Sequence, residues 1–292
     1  MNDASMNDTA INDTAVHDAV QVSGLTRTFP GRRGAARVVA VKDVSFRLRK
    51  GEALGLVGES GSGKTTVARM LVGLARPDEG TIVIDGRARE RKDRGRSARL
   101  RRAKDVQMVF QDPYGSLDRR LSVEGALRDV LRRHLPEPAK EIVRARIAEL
   151  IDFVGLSEQH LASRPHQLSG GQRQRVAIAK ALAVNPAVLV LDEAVSALDV
   201  SVQAQILRLL NEIRAETGVS VVFVTHDLAV VGEVTSEILV MYKGEAVERG
   251  TTADVLRRPQ HPYTEMLLSS APGPNWKPER VAELRAAFAG SR

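Results

Sequence analysis

The sequence predicts an α/β fold with a mainly parallel sheet, an antiparallel β portion on its N-terminal side and an inserted helical subdomain. Three observations lead there. First, apolar runs at 53–57, 106–110, 187–191 and 219–224 show little polar alternation, as strands covered on both faces require. Second, helical spacing follows two of them. Val67, Ala68, Met70 and Leu71 come after the first run, and Val202, Ile206, Leu209, Leu210 and Ile213 after the third, with Gly218 as the stop. Third, residues 121–163 break the alternation: Val143, Ile147, Leu150, Ile151 and Val154 form one helical stripe that ends at Gly155.

Taken in order, residues 1–20 form a degenerate five-residue repeat with Asp3, Asp8, Asp13 and Asp18 in step, and 1–19 reads as a solvated, disordered tail. Strand patterns at 20–25 and 38–46 flank a turn-rich loop at 28–34. A turn at Pro77-Asp78-Glu79-Gly80 precedes a short strand at 81–84. Residues 87–104 hold ten Lys/Arg and two acidic residues, Glu90 and Asp93. That run reads as a solvated loop and helix face, with contact to lipid phosphates or a charged partner as the sharper alternative. A helical subdomain is expected over about 112–183. Lys243-Gly244 turns a hairpin between 238–241 and 245–247. The tail at 251–292 carries several prolines and reads as partly structured.

Composition narrows the classes. The 292 residues, 43% of them hydrophobic, suffice for a real core. With no cysteine, disulfides, thiolate metal sites and Cys-ligated iron–sulfur clusters are excluded. Aromatics at 3% argue against base-stacking platforms, so no nucleic-acid partner is expected. No apolar run approaches the ~20 residues that span a bilayer, and the N-terminus does not resemble a secretory signal, so the chain is expected to be soluble. A net charge of +7 allows an anionic membrane surface as a neighbour without choosing it.

The chemistry is carried by Gly58-Glu59-Ser60-Gly61-Ser62-Gly63-Lys64-Thr65-Thr66. It sits between a strand and a helix, the context a phosphate-binding P-loop needs. Glycines let successive N–H groups turn inward toward an anion, and the helix N-terminus adds partial positive charge. Lys64 can reach β- and γ-phosphates, and the Thr65 hydroxyl can ligate Mg²⁺. Gln111, Asp192-Glu193 and His226 follow the other apolar runs, and strand ends in a parallel sheet share one edge. Asp192 suits a Mg²⁺-holding carboxylate, and Glu193 can take a proton from, or orient, an attacking water. His226 can donate to a γ-phosphate. Leu168-Ser169-Gly170-Gly171-Gln172 has two readings: Ser169 and Gln172 make a capping box, and a serine with two glycines at a helix start also builds a second anion site. Two chains packed head to tail would set that site of each over the nucleotide held by the other.

These residues resemble the ABC-transporter ATPases over roughly 20–270. The resemblance implies a RecA-like P-loop NTPase core, ATP and Mg²⁺ as ligands, and Thr65, Gln111 and Asp192 around the metal. It makes Glu193 the catalytic base, has Gln111 and His226 sense the γ-phosphate, and sets Phe29 against the adenine. Ser196-Ala197-Leu198-Asp199 matches the D-loop. Phe110-Gln111-Asp112-Pro113-Tyr114, the run from Leu191 to Gln205 and His261-Pro262-Tyr263-Thr264 are similar to the oligopeptide/dipeptide importer branch. That branch implies an ATPase domain over 20–250, a C-terminal extension over 251–292, and import of peptides or a related solute such as nickel. It also implies a second ATPase subunit, two integral-membrane permease subunits and an extracytoplasmic solute-binding protein, with this chain peripheral on the cytoplasmic face of the membrane. A non-transport or an exporter ABC ATPase is the alternative.

Overall fold

The computed structural model describes residues 18–31, 36–89, 95–134 and 139–270. Residues 1–17, part of the basic run and residues 271–292 lie outside these segments, whereas Asp18 and Ala19, expected in the disordered tail, open the first strand, because Asp18 pairs with Arg49 and Ala19 is buried.

Strands β1 (Asp18–Phe29) and β2 (Val38–Arg49) pair antiparallel from Asp18 opposite Arg49 to Phe29 opposite Val38. They run past the apolar patterns that announced them, because backbone pairing continues through exposed Arg47 and Arg49. After β3 (Ala53–Val57) and α1 (Lys64–Leu71), β4 (Glu79–Ile84) pairs with β1, and β5 (Arg87–Ala88) closes a sheet of order β2-β1-β4-β5. From the basic run comes α2 (Arg96–Asp105), whose buried Asp105 receives Arg87 at 3.0 Å and Arg89 at 3.6 Å. Part of that run is therefore tied to the body by ion pairs.

The second sheet has the order β10-β9-β3-β8-β7-β6. Strands β3, β6 (Val106–Val109), β7 (Val188–Asp192), β8 (Ser220–Thr225) and β9 (Glu237–Tyr242) are parallel, and β10 (Glu245–Thr251) is antiparallel to β9. Every residue of β3, β7 and β8 is buried. Alternation across the pleat explains the unbroken apolar runs. Leu54, Leu56, Val188, Val190, Val222 and Val224 face the antiparallel sheet and α1. Ala53, Val57, Leu189, Leu191, Val221 and Phe223 face the helical side.

That side holds α3 (Pro113–Ser116), α4 (Val123–His134), α5 (Lys140–Phe153), α6 (Gly170–Leu182), α7 (Val200–Thr217) and α8 (Leu228–Val234). The expected stripe of Val143, Ile147, Leu150 and Ile151 is buried on α5. Residues 252–270, expected to be partly structured, form α9 (Thr252–Arg257) and α10 (Pro262–Ser270). Val255, Tyr263, Met266 and Leu267 join the main core, and full burial of the Tyr263 ring contributes about 2–3 kcal/mol. Among the described residues no helix is long and apolar enough to cross a membrane.

Candidate nucleotide-binding site

Strand register gathers the polar strand ends. Val57 lies opposite Thr225, Val224 opposite Asp192, and Leu191 opposite Val109. The residues after each strand, the glycine loop, His226, Glu193 and Gln111, thus emerge along one edge of the sheet.

The loop before α1 is closely confined. A Cβ on Gly58 would lie 2.2 Å from the Met241 carbonyl oxygen, and one on Gly63 would lie 2.3 Å from that of Ala40. Their φ angles of 150° and 106° fall where side chains are strained, so glycine is required at both positions. The Gly244 N–H donates to the Ser62 carbonyl at 3.0 Å from the β9–β10 turn. Ser60 and Gly61 stand exposed at the rim, while Ser62 is buried and Thr66 half-buried in the first turn of α1. Lys64 is buried, and its Nζ donates to the carbonyls of Gly58 (2.7 Å) and Glu59 (2.8 Å) and to Ser62 Oγ (3.4 Å). Burial lowers the Lys64 pKa, opposed by the charges of Glu193, Asp192 and Glu59.

Thr65 Oγ1 donates to Asp192 Oδ1 at 3.0 Å, joining the loop to the end of β7. Burial pushes the Asp192 carboxyl up, and the Thr65 hydrogen bond opposes that. Glu193 follows in the left-handed region with φ 49°, an uncommon place for a glutamate. Its N–H donates to the Val224 carbonyl (2.9 Å), and its own carbonyl accepts from Ser196 Oγ (2.9 Å). These bonds hold the backbone so that Glu193 Oε1 comes 3.5 Å from His226 Nδ1. A cavity of about 630 Å³ opens here, lined by Glu59, Ser60, Glu193 and His226 and by Leu267 and Ser270 of α10. The glycine cradle, the buried lysine and the adjacent hydroxyl and carboxylate oxygens fit a polyphosphate with a hard, oxygen-ligated cation. Among the described residues no group of three or more His, Cys, Asp or Glu side chains gathers for a metal, so such a cation would rest on few protein oxygens plus phosphate.

Other expected site residues lie further out. Gln111 is exposed just beyond β6. Phe29 ends β1, 37% exposed, with the Arg27 guanidinium 4.7 Å from its ring centroid, so a cation covers one side of the ring. Ser169 caps α6: its Oγ accepts from the Gln172 N–H (3.2 Å), and its N–H donates to Gln172 Oε1 (2.9 Å), the reciprocal box expected. Gln172 Nε2 also lies 3.0 Å from His160 Nε2. A Cβ on Gly171 would sit 2.5 Å from Val202 Cγ1, so this glycine also has a packing reason. Ser169, Gly170, Gly171 and Gln172 do not line the cavity around Glu193.

Sequence reasoning missed Tyr263 as a site neighbour. Fully buried, it accepts the Glu59 N–H at 2.9 Å, and its ring centroid is 4.3 Å from that of Tyr242. Burial pushes its phenol up to about 12. The signal available was the His-Pro-Tyr-Thr motif itself, but its partner lies 204 residues earlier.

The sequence family described as ABC transporter matches residues 41–196, more than half of the chain. The chain belongs to the ABC transporter family. A second match, described as the oligopeptide/dipeptide transporter C-terminal region, covers residues 247–289 of this ABC cassette. Among curated relatives, the glutathione import ATP-binding protein GsiA of Pectobacterium atrosepticum is 47% identical over 87% of the cassette, and that of Escherichia coli O157:H7 is 45% identical over the same share. The cassette spans 41% of the length of each of those relatives. Solved ABC structures share its fold. The dimeric post-hydrolysis state of the ATP-binding cassette MJ0796 bound to ADP and Pi is 31% identical, with a TM-score of 0.71 over 80% of this chain and 98% of that one. The structure of cbiO1 from Clostridium perfringens, part of the ABC transporter complex cbiONQ, is 26% identical, with a TM-score of 0.72 over 92% and 99%. The fold is thus the expected RecA-like P-loop core with an antiparallel β portion and a helical part.

Proposed function

We propose that this chain binds and hydrolyses ATP and thereby powers a bacterial ABC importer for di- or oligopeptides, or for a related solute such as nickel or glutathione. The observation that carries the reading is the Thr65–Asp192 hydrogen bond, which joins the phosphate loop to β7 with Glu193 and His226 3.5 Å apart beside it. ATP is the substrate, and Thr65, Asp192 and Gln111 would hold a Mg²⁺ ion that would supply charge neutralisation at the phosphates. Lys64 and the inward N–H groups of the loop position the phosphates. Glu193 accepts a proton from the attacking water, and His226, beside it, donates toward the γ-phosphate. Phe29 stacks on the adenine through the ring face away from Arg27.

The Ser169-Gly170-Gly171-Gln172 start of α6, with Ser169 exposed, would serve the nucleotide of a second chain, a copy or a paralogue, packed head to tail. Closure and reopening of that pair would move the helical subdomain, about 112–183, against two membrane-embedded permease subunits. An extracytoplasmic solute-binding protein would deliver the solute, and this chain would sit peripherally on the cytoplasmic face. The ATPase domain is assigned to 20–250, extended back to Asp18 where β1 begins, and the importer-type extension to 251–292. The C-terminal match and the import proteins among the relatives support this reading over an exporter or a non-transport ATPase.

Phosphate release from ATP tests it. Glu193→Gln is expected to slow hydrolysis at least ~100-fold while ATP affinity stays within about threefold of wild type. Wild-type turnover in that variant rules Glu193 out as the base.

A further inference from the structure

We infer that Tyr263, in the C-terminal segment, is a positioning residue for Lys64, acting through a single peptide unit of the phosphate loop. This deepens the nucleotide reading above and rests on it. The Gly58–Glu59 peptide is held at both ends. Its N–H donates to Tyr263 Oη at 2.9 Å, and its carbonyl accepts from Lys64 Nζ at 2.7 Å. In a trans peptide these two groups point in opposite directions, so fixing one aims the other. Gly58, at φ 150°, lacks the Cβ that would otherwise resist rotation of this peptide, and the phenol supplies an external restraint.

The consequence falls on the ammonium group. Lys64 has three N–H donors. The Gly58 and Glu59 carbonyls take two at 2.7 and 2.8 Å, and the contact to Ser62 Oγ is longer at 3.4 Å. The third donor is therefore the one to turn to a phosphate oxygen, and its direction follows from where the two carbonyls lie. Rotation of the Gly58–Glu59 peptide would remove one of them and free the ammonium to swing.

Tyr263 is itself held firmly. It is fully buried against Tyr242. Its N–H donates to His261 Nδ1 at 3.1 Å. The N–H groups of Gln260 and His261 donate to the Glu248 carboxylate at 2.8 and 3.1 Å, pinning the start of α10 to β10. The His-Pro-Tyr-Thr segment thus delivers a rigid acceptor to the phosphate loop at the Glu59 N–H. Since Tyr242 also enters the β9–β10 turn, whose Gly244 N–H donates to Ser62 O, the same corner restrains the loop at two points.

A four-member cycle tests this on the full chain: wild type, Tyr263→Phe, Lys64→Ala and the double variant, each titrated calorimetrically with the slowly hydrolysed analogue ATPγS. Phenylalanine keeps the ring against Tyr242 and removes only the acceptor. Tyr263→Phe is expected to weaken affinity about three- to tenfold, the worth of one hydrogen bond, and to add nothing in the Lys64→Ala background. Unchanged affinity in Tyr263→Phe, or an equal loss in both backgrounds, overturns the proposal, the second because it marks a purely structural effect. Unchanged affinity in Lys64→Ala alone would instead reject the nucleotide reading of the loop, independently of Tyr263.

Discussion

The loop before α1 and the loop before α6 both place glycines at a helix start, yet they are built in opposite ways. The first is enclosed by distant segments: carbonyls of Ala40 and Met241 crowd its glycines, the Gly244 N–H holds Ser62, Asp192 takes the Thr65 hydroxyl and Tyr263 takes the Glu59 N–H. The second is held mostly by its own neighbours. Ser169 and Gln172 bond each other, and Ser169 stays exposed. A loop fixed by long-range contacts presents one preorganised face, which is what binding a polyphosphate needs. A loop fixed by a local cap leaves its outer surface for another molecule.

Substitutions that separate the two loops sharpen this contrast. Gly63→Ala should have the largest effect. Its Cβ would meet the Ala40 carbonyl oxygen at 2.3 Å with φ at 106°, so we expect a loss of about 3 kcal/mol in urea unfolding and at least a tenfold loss of ATP affinity. Ser169→Ala should be milder. Loss of the cap costs about 1 kcal/mol, ATP affinity of a single chain holds, and hydrolysis falls about tenfold or more. Equal loss of binding in both variants would erase the distinction between the loops. The smallest effect is a pH dependence. The Tyr263 phenol is pushed up to about 12 in the folded chain, above the ordinary tyrosine value. A raised folded-state pKa gives stability that is complete below about pH 10 and is lost as pH climbs toward 12. Urea midpoints should therefore drop over that window in wild type and drop less in Tyr263→Phe.

Much of this was legible in sequence because its determinants are local. The apolar runs that became β3, β7 and β8 needed no partner to be recognised, and the glycine spacing before Lys64 named its own geometry. The capping box at Ser169 and Gln172 was legible for the same reason. What escaped depends on contacts between segments far apart. Tyr263 reaches Glu59 across 204 residues, and no local pattern shows it. Nor does anything in the sequence mark Glu193 for the left-handed region, since glutamate is not a residue that signals positive φ. The role of Asp105 as an anchor for Arg87 and Arg89 was hidden just past the end of a run defined by its positive charge.

The most direct test of the two-loop account is sedimentation velocity on Glu193→Gln with and without ATP. Glu193→Gln is expected to be a monomer that becomes a dimer when ATP is added, with the shift abolished by Lys64→Ala in the same background. A chain that binds ATP yet stays monomeric at high protein concentration, or one that pairs equally well without ATP, would contradict it.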